Sequence, residues 1–105
     1  MIIREWRGRA GLEKAADYHR HFRDRVVPEL RTIAGFHGAQ LGRRRTEDQI
    51  EFLVLTRWDS LDAIRSFALD QFEKAVVEPE AASALVSFDA HVRHYEVLEE
   101  TEFSG

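Results

Sequence analysis

Histidine side chains are the residues of this sequence best suited to bind a metal or move a proton near neutral pH, and the chain has five of them in 105 residues. His19 and His21 lie two apart in a helical segment, so their side chains diverge by about 200° at about 3.6 residues per turn. His91 and His94 lie three apart in an extended segment and face opposite sides. These spacings predict no metal site. They leave His94 or His91 as a lone general base, with a surface or hydrogen-bonded histidine as the alternative.

Large aromatic side chains could hold a flat molecule. Trp6 stands in the first extended segment, and Tyr18 and Phe22 are four apart in the first helical segment, on the side expected to meet a sheet. Between a helix and a sheet such rings either fill a core or line a slot for a planar aromatic ligand. Trp6, Tyr18 and Phe22 are therefore candidate substrate-binding residues, with core packing as the alternative for each.

Polar side chains on the first and last extended segments could line a cavity for an anionic or phenolic ligand. In the first segment Arg4 and Trp6 face one side, and Glu5 and Arg7 face the other. In the last segment His94 lies on one face, and Arg93 and Tyr95, the residues before and after it, lie on the other. The alternatives are ion pairs across a subunit interface or side chains in solvent.

Composition excludes several classes of protein. The chain has no cysteine, so disulfides and cysteine-based metal sites are absent, and its net charge of −4 has the wrong sign for a general binder of nucleic acid. The basic run 43–45 precedes an acidic stretch and is interpreted as a solvated hairpin tip. No phosphate-binding loop, nucleophile elbow or RNA-binding strand motif is present. With no signal-like or membrane-spanning stretch, we expect a cytoplasmic protein that does not bind a membrane.

Hydrophobic periodicity predicts strands alternating with helices. The order along the chain is a strand at 2–7, a helix over 12–34 that kinks at Pro28, a hairpin of strands 36–45 and 50–58, a helix from Leu61 capped by Asp59 or Ser60, a broken helical region over 72–85, and a strand at 88–98. The first helix is expected to bury one face, formed by Leu12, Ala15, Ala16, His19, Phe22 and Val26.

This order, βαββαβ, is the ferredoxin-like arrangement, an α+β fold with a four-stranded antiparallel sheet and both helices on one face. Residues 1–98 are expected to form one domain, and 99–105 a disordered acidic tail. The segment 50–58 is apolar on both faces, so the bare face of the sheet needs a cover. We therefore expect a homodimer that pairs sheet to sheet.

The segments around the second and third strands resemble the antibiotic biosynthesis monooxygenase family of dimeric α/β barrels. The resemblance spans about residues 1–98, and its strongest elements are the Gly-Phe at 35–36 and the Trp-Asp-Ser-Leu-Asp-Ala run at 58–63. It implies two ferredoxin-like subunits paired as a barrel, each with a pocket between its sheet and its helices. Family members of known activity oxidise phenolic polyketide intermediates with O₂ and no metal or flavin, and others cleave haem.

The catalytic residues of those members transfer only where this sequence carries them. The polyketide oxidases have an asparagine four before the junction tryptophan and a tyrosine six after it. Trp58 matches the tryptophan, but the other two positions are Val54 and Ile64. The residues of the haem-cleaving type are also missing. Trp58 is thus a candidate catalytic residue by resemblance, with a packing role at the strand–helix junction as the alternative.

The leading hypothesis is a monooxygenase without cofactor that acts on a small aromatic, phenolic or quinone-like molecule. Trp6, Trp58, Tyr18 and Phe22 would hold the ring, and His94 would take a phenolic proton. A second hypothesis is a non-catalytic dimer that binds or senses a small ligand, favoured by the missing asparagine and tyrosine. A third is a proton-transfer isomerase with Glu5 or Glu96 as its base.

Overall fold

The computed structural model describes residues 1–68 and 73–102. Its strands and helices follow one another along the chain as β1 (Ile2–Gly11), α1 (Ala15–His21), a π-helical turn (Phe22–Val26), α2 (Val27–Leu30), β2 (Phe36–Arg45), β3 (Gln49–Trp58), α3 (Leu61–Ala68), α4 (Pro79–Ala84), β4 (Ser87–Phe88) and β5 (Arg93–Glu96). The predicted ferredoxin-like α+β order is confirmed.

The strands form one antiparallel sheet in the order β2-β3-β1-β4, with β5 also paired to β1. Strands β1 and β3 pair along their whole length, from Ile2 opposite Trp58 to Gly11 opposite Gln49. This register places the even-numbered side chains of both strands on the face that the helices cover. The odd-numbered side chains, including the partly buried Leu53 and Leu55, lie on the opposite, open face.

Two clusters of buried side chains lie between the sheet and the helices. The larger joins β1, β3, α1 and α4, and its members are Ala10, Ala15, Tyr18, Phe22, Ile50, Phe52, Ala81 and Ala84. The smaller joins α2, β3 and α3, and its members are Leu30, Trp58, Ile64 and Ala68. The expected cap of α3 is confirmed at Ser60, whose Oγ accepts a hydrogen bond from the Ala63 N–H at 3.2 Å.

The buried face of the first helix differs from the prediction. The helix begins at Ala15 rather than Leu12, and it buries Ala15, Tyr18 and His21 while Leu12 and His19 are exposed. Residues 12–14 form a turn, so Leu12 lies outside the helix. Ahead of Pro28, the Val27 N–H bonds to the Phe22 carbonyl five residues back. Since proline lacks an N–H and clashes with the preceding turn, this wider turn takes the place of the expected kink.

The last predicted strand is also different, because it is broken into β4 and β5. The Val92 N–H bonds to the Glu73 carbonyl and the Ala75 N–H bonds to the Ala90 carbonyl, so residues 90–92 pair with 73–75 instead of with β1. The predicted helical segment ahead of Pro79 is absent over 73–78, and its predicted first residue, Phe72, lies outside the described residues. Residues 99–102 have no helix or strand, and the end of the predicted tail, 103–105, is likewise outside the described part.

Gly35 provides the first testable prediction. Its φ of +90° suits glycine, and a Cβ there would lie 2.6 Å from the Ala63 Cβ. We expect Gly35→Ala to lower the free energy of unfolding by about 1–3 kcal/mol, from backbone strain and the clash with α3. Urea denaturation measures this loss. Gly42→Ala, where a Cβ would have nothing within 4 Å, is the control and should cost less. Equal losses in the two variants would contradict the account.

Candidate functional site

A cavity of about 80 Å³ lies between the helix-covered face of the sheet and the helices. Its floor consists of sheet residues: Arg4, Trp6, Val54 and Thr56. One side consists of helical residues: Tyr18, His21, Phe22, Val26, Glu29, Leu30 and Phe67. The other side belongs to the stretch between α3 and β5: Val76, Val77, Glu78, Ala81 and Val92. Glu29 and Val76 are exposed, so the cavity opens to the surface where they meet.

Arg4 is a buried cation in the floor of this cavity, with only 5% of its surface exposed. Its Nη1 donates a hydrogen bond to His94 Nε2 at 2.9 Å, and its Nη2 donates to the Lys74 carbonyl at 2.9 Å. Its Cζ lies 5.7 Å from the centre of the Phe67 ring. Burial lowers the pKa of the guanidinium to about 10, so Arg4 stays charged at neutral pH. The cavity therefore has a fixed positive charge in a mainly apolar wall.

His94, the candidate base, does not line this cavity, since its side chain lies beside Arg4 at the edge of the sheet. Because an arginine N–H can only donate, His94 Nε2 is the acceptor and its lone pair is engaged. Burial, and then the charge of Arg4, lower the pKa of His94, while Glu73 acts in the opposite direction. The structure thus places His94 where it orients Arg4.

The pKa of His94 makes stability depend on pH. The pKa is lower in the folded chain than its usual value of about 6.5, so on acidification the unfolded chain takes up this proton first. The stability that neutral His94 provides is present above about pH 6.5 and is lost as the pH falls toward the folded-state pKa. We expect urea unfolding at about pH 7.5 and pH 5.5 to show a loss that His94→Gln reduces and the exposed His19→Gln does not. Identical pH profiles for wild type and His94→Gln would contradict this.

Three aromatic candidates come together in the cavity wall. The Trp6 ring lies 6.1 Å from Tyr18, centre to centre, and its Nε1–H donates to the Asp89 carbonyl at 2.8 Å, which fixes the indole. Tyr18 also packs against Phe52, with ring centres 4.8 Å apart. Burial raises the pKa of the Tyr18 hydroxyl, so it stays neutral. Trp6, Tyr18 and Phe22 therefore present rings to the same space.

Trp58 lies elsewhere, in the smaller core cluster and fully buried. Its ring packs edge-on to Phe36 at 5.3 Å and stacks on Phe67 at 5.9 Å, and its Nε1–H donates to Thr56 Oγ1 at 2.8 Å. It does not line the cavity, but both Phe67 and Thr56 do. Its placement fits the packing alternative, since it supports two wall residues from behind.

His21 is the residue of the cavity wall that sequence reasoning missed. It is 8% exposed, and neither ring nitrogen has a hydrogen-bond partner in the described part of the chain. The nearest charged atom is Glu80 Oε2, 3.5 Å from Nδ1 and not aligned for a hydrogen bond. An unsatisfied buried polar group costs about 1–3 kcal/mol. Its spacing of three from Tyr18 could have identified it, had the phase of the helix been known.

The acidic candidates lie in two places. Glu5 lies on the open face and pairs with Arg7 at 2.7 Å and Arg93 at 3.5 Å. Glu96 is exposed and lies opposite Ile2 in the ladder. Neither of these two glutamates lines the cavity. Glu29 and Glu78 do line it. A hydrogen bond with the Glu78 carboxyl raises the pKa of Glu29, with burial and the charge of Glu78 adding to the shift.

No cluster of three or more metal-ligating side chains is found in residues 1–68 and 73–102. Within the same two stretches, no helix is long and apolar enough to cross a membrane.

The described part of the chain is a ferredoxin-like α+β domain with a cavity between its sheet and its helices. The chain belongs to the antibiotic biosynthesis monooxygenase family, whose model matches residues 1–78. Comparison with curated proteins gives no match.

Solved structures confirm the fold over nearly the whole chain. A proposed antibiotic biosynthesis monooxygenase of Deinococcus radiodurans is 18% identical over the full length of both chains, with a TM-score of 0.68. One of Bacillus cereus is 14% identical, with 100% of this chain and 98% of that chain covered and a TM-score of 0.71. The haem degrader MhuD of Mycobacterium tuberculosis, solved with two haems in its active site, is 17% identical, with 97% and 100% covered and a TM-score of 0.62.

Proposed function

We propose that this protein is a monooxygenase that needs no cofactor and oxidises a small aromatic, phenolic or quinone-like substrate held in the cavity. The observation that carries the proposal is Arg4, a buried cation that forms the floor of a mainly apolar cavity beside the Trp6 ring. Electrostatic attraction in a low-dielectric site favours the anionic form of a ligand oxygen there.

In the proposed reaction the phenol loses its proton and binds as phenolate, with the oxygen directed toward Arg4. The electron-rich ring supplies all four electrons that reduce O₂: one oxygen atom becomes a carbonyl oxygen of a quinone product, and the other leaves as water with the two hydrogens that the substrate loses. Trp6, Tyr18 and Phe22 hold the ring between them. His94 orients Arg4 through the 2.9 Å hydrogen bond, and Trp58 supports Phe67 and Thr56.

The volume of the cavity bears on substrate size. A closed cavity of about 150 Å³ suffices for benzene. The cavity here is about 80 Å³, with an open mouth at Glu29 and Val76, so a single ring would extend into the mouth. A haem, whose macrocycle is several times larger than benzene, does not fit this space. The proposal therefore includes no step at a haem.

A second candidate function, ligand binding without catalysis, is favoured by two positions that correspond to catalytic residues of the polyketide oxidases but carry other residues here. Val54 presents only hydrocarbon to the cavity, and Ile64 is fully buried in the smaller core cluster. Neither can donate a hydrogen bond to a developing oxygen anion. A binding protein needs only the cation and the rings.

Oxygen uptake tests the proposal. We expect uptake with hydroquinone and naphthol, with less for the three-ring anthrone, and a fall of about 10- to 100-fold in Arg4→Met, the loss typical of a charge-assisted hydrogen bond. Arg4→Lys should retain part of the activity, and Arg45→Met, on an exposed hairpin residue, should retain all of it. Saturable binding of these phenols without uptake would favour the second function. Absence of binding would overturn both.

We also propose that the open face of the sheet pairs with a second copy, as is typical of the family. Leu53 and Leu55 on that face are only partly buried, beside the Glu5–Arg7 ion pair. Burial of such apolar surface is the usual driving force of association. Sedimentation equilibrium at micromolar concentration should give twice the chain mass of 12.2 kDa, and Leu55→Glu should give the single mass. A 12.2 kDa species for the wild type would overturn the pairing.

A further inference from the structure

We propose that His21 is the base that takes the proton of a phenol bound in the cavity, and that Glu80 stabilises the resulting imidazolium from outside. The inference rests on the proposed function, because it needs a phenolic ligand in that space.

The His21 ring is buried without hydrogen bonds to the described residues. The residue is 8% exposed, it lines the cavity, and both nitrogens lack a hydrogen-bond partner within the described residues. Most buried polar side chains in folded proteins are hydrogen-bonded, so an unpartnered pair of nitrogens needs an explanation. A ligand hydroxyl in the cavity would satisfy one of them.

His21 borders the cavity on one side and, on the other, an outer groove that Glu80 also lines. Nδ1 lies 3.5 Å from Glu80 Oε2, so Nε2 is the nitrogen that we assign to the ligand. The Glu80 side chain is 68% exposed and has room to move closer. A carboxylate on one nitrogen and a substrate hydroxyl on the other is the usual environment of a histidine base.

The phenol O–H bond breaks, an N–H bond forms at His21, and the electron pair stays on the phenolate oxygen, which faces Arg4. The positive charge gained by the ring faces the Glu80 carboxylate. No proton leaves the protein, so binding is neutral overall. Arg4 attracts the phenolate whichever group takes its proton, but Arg4 cannot accept that proton because it is already protonated.

The test uses 4-nitrophenol at a pH below the pKa of the free probe, where the probe is mostly neutral. Visible absorption reports the bound phenolate, and calorimetry in buffers of different ionisation enthalpy reports protons released. For the wild type we expect bound phenolate and no net proton release. His21→Gln should bind within about threefold of the wild type while its bound phenolate falls by about tenfold, the effect of one pKa unit.

Glu80→Gln, on an exposed side chain, keeps His21 in place and should lower the bound phenolate several-fold. His19→Gln and Glu47→Gln, on exposed residues away from the cavity, should match the wild type. Phenolate that persists in His21→Gln with one proton released per ligand would overturn the inference, since Arg4 would then act alone. Binding of the neutral phenol to the wild type would also overturn it and leave the binding part of the proposed function intact. No binding at all would overturn both.

Discussion

Replacement of Trp58 by alanine is expected to lower the free energy of unfolding by about 3–5 kcal/mol, the cost typical of removing a large aromatic side chain from a core. Trp58 is fully buried, packs against Phe36 and Phe67, and donates a hydrogen bond to Thr56. The variant therefore leaves a cavity and also an unpartnered Thr56 hydroxyl. Since single domains are stable by about 5–15 kcal/mol, this loss would unfold a measurable fraction of the chains.

Urea denaturation followed by circular dichroism measures this loss. Trp58→Phe keeps a ring in the same position and loses the indole hydrogen bond, so it should cost less than the alanine variant. Leu98→Ala removes an 89% exposed side chain and should change stability by less than about 0.5 kcal/mol. A Trp58→Ala loss as small as that of Leu98→Ala would show that this residue is not a core residue in solution.

The second large effect is expected from Val54→Phe, which places a phenyl ring in the cavity floor between the sheet and the helices. The ring would occupy the space assigned to the ligand. A ligand ring that buries about 150 Å² contributes about 4 kcal/mol at about 25 cal/mol per Å². Its exclusion should weaken phenol binding by at least about 100-fold.

Calorimetric titration with hydroquinone measures the change in Kd. The fold should survive, because the new side chain enters existing space, and we expect a loss in the free energy of unfolding of at most about 3 kcal/mol. Val86→Phe, at a residue 63% exposed and outside the cavity, is the matched control and should bind as the wild type does. Unchanged binding in Val54→Phe would place the ligand elsewhere.

The order of strands and helices could be predicted because it depends on local patterns. β-Branched and aromatic residues marked β1, a run that is apolar on both faces marked β3, and the polar stretch between β2 and β3 marked their turn. Serine at position 60 marked the start of α3 through its own cap. The break in the last strand was not predictable, since it depends on hydrogen bonds to distant residues. The Val92 N–H reaches the Glu73 carbonyl, and the Ala75 N–H reaches the Ala90 carbonyl.

The candidate site was predictable in part. Strand alternation places Arg4 and Trp6 on one face, and the structure has both in the cavity wall. His94 shares that face but lies beside Arg4, because its partner in the ladder is Arg4 itself. His21 was missed because the apolar pattern predicted His19 on the buried face, whereas the helix buries Ala15, Tyr18 and His21. Which of two nearby histidines meets the cavity depends on how the helix packs against the sheet and α4, and the pattern of this segment alone does not contain that information.

The central claim is that the cavity over Arg4 and Trp6 binds a phenolic ring, and a titration of ¹⁵N-labelled protein with hydroquinone, followed by NMR, tests it most directly. The chain has two tryptophans, and their indole N–H signals report two different places. The Trp6 signal, from the cavity wall, should shift saturably together with the Arg4 side chain, and the Trp58 signal, from the core behind Phe67, should shift less. A saturable shift confined to Leu53, Leu55 and Tyr95 on the open face, with Trp6 unmoved, would contradict the account.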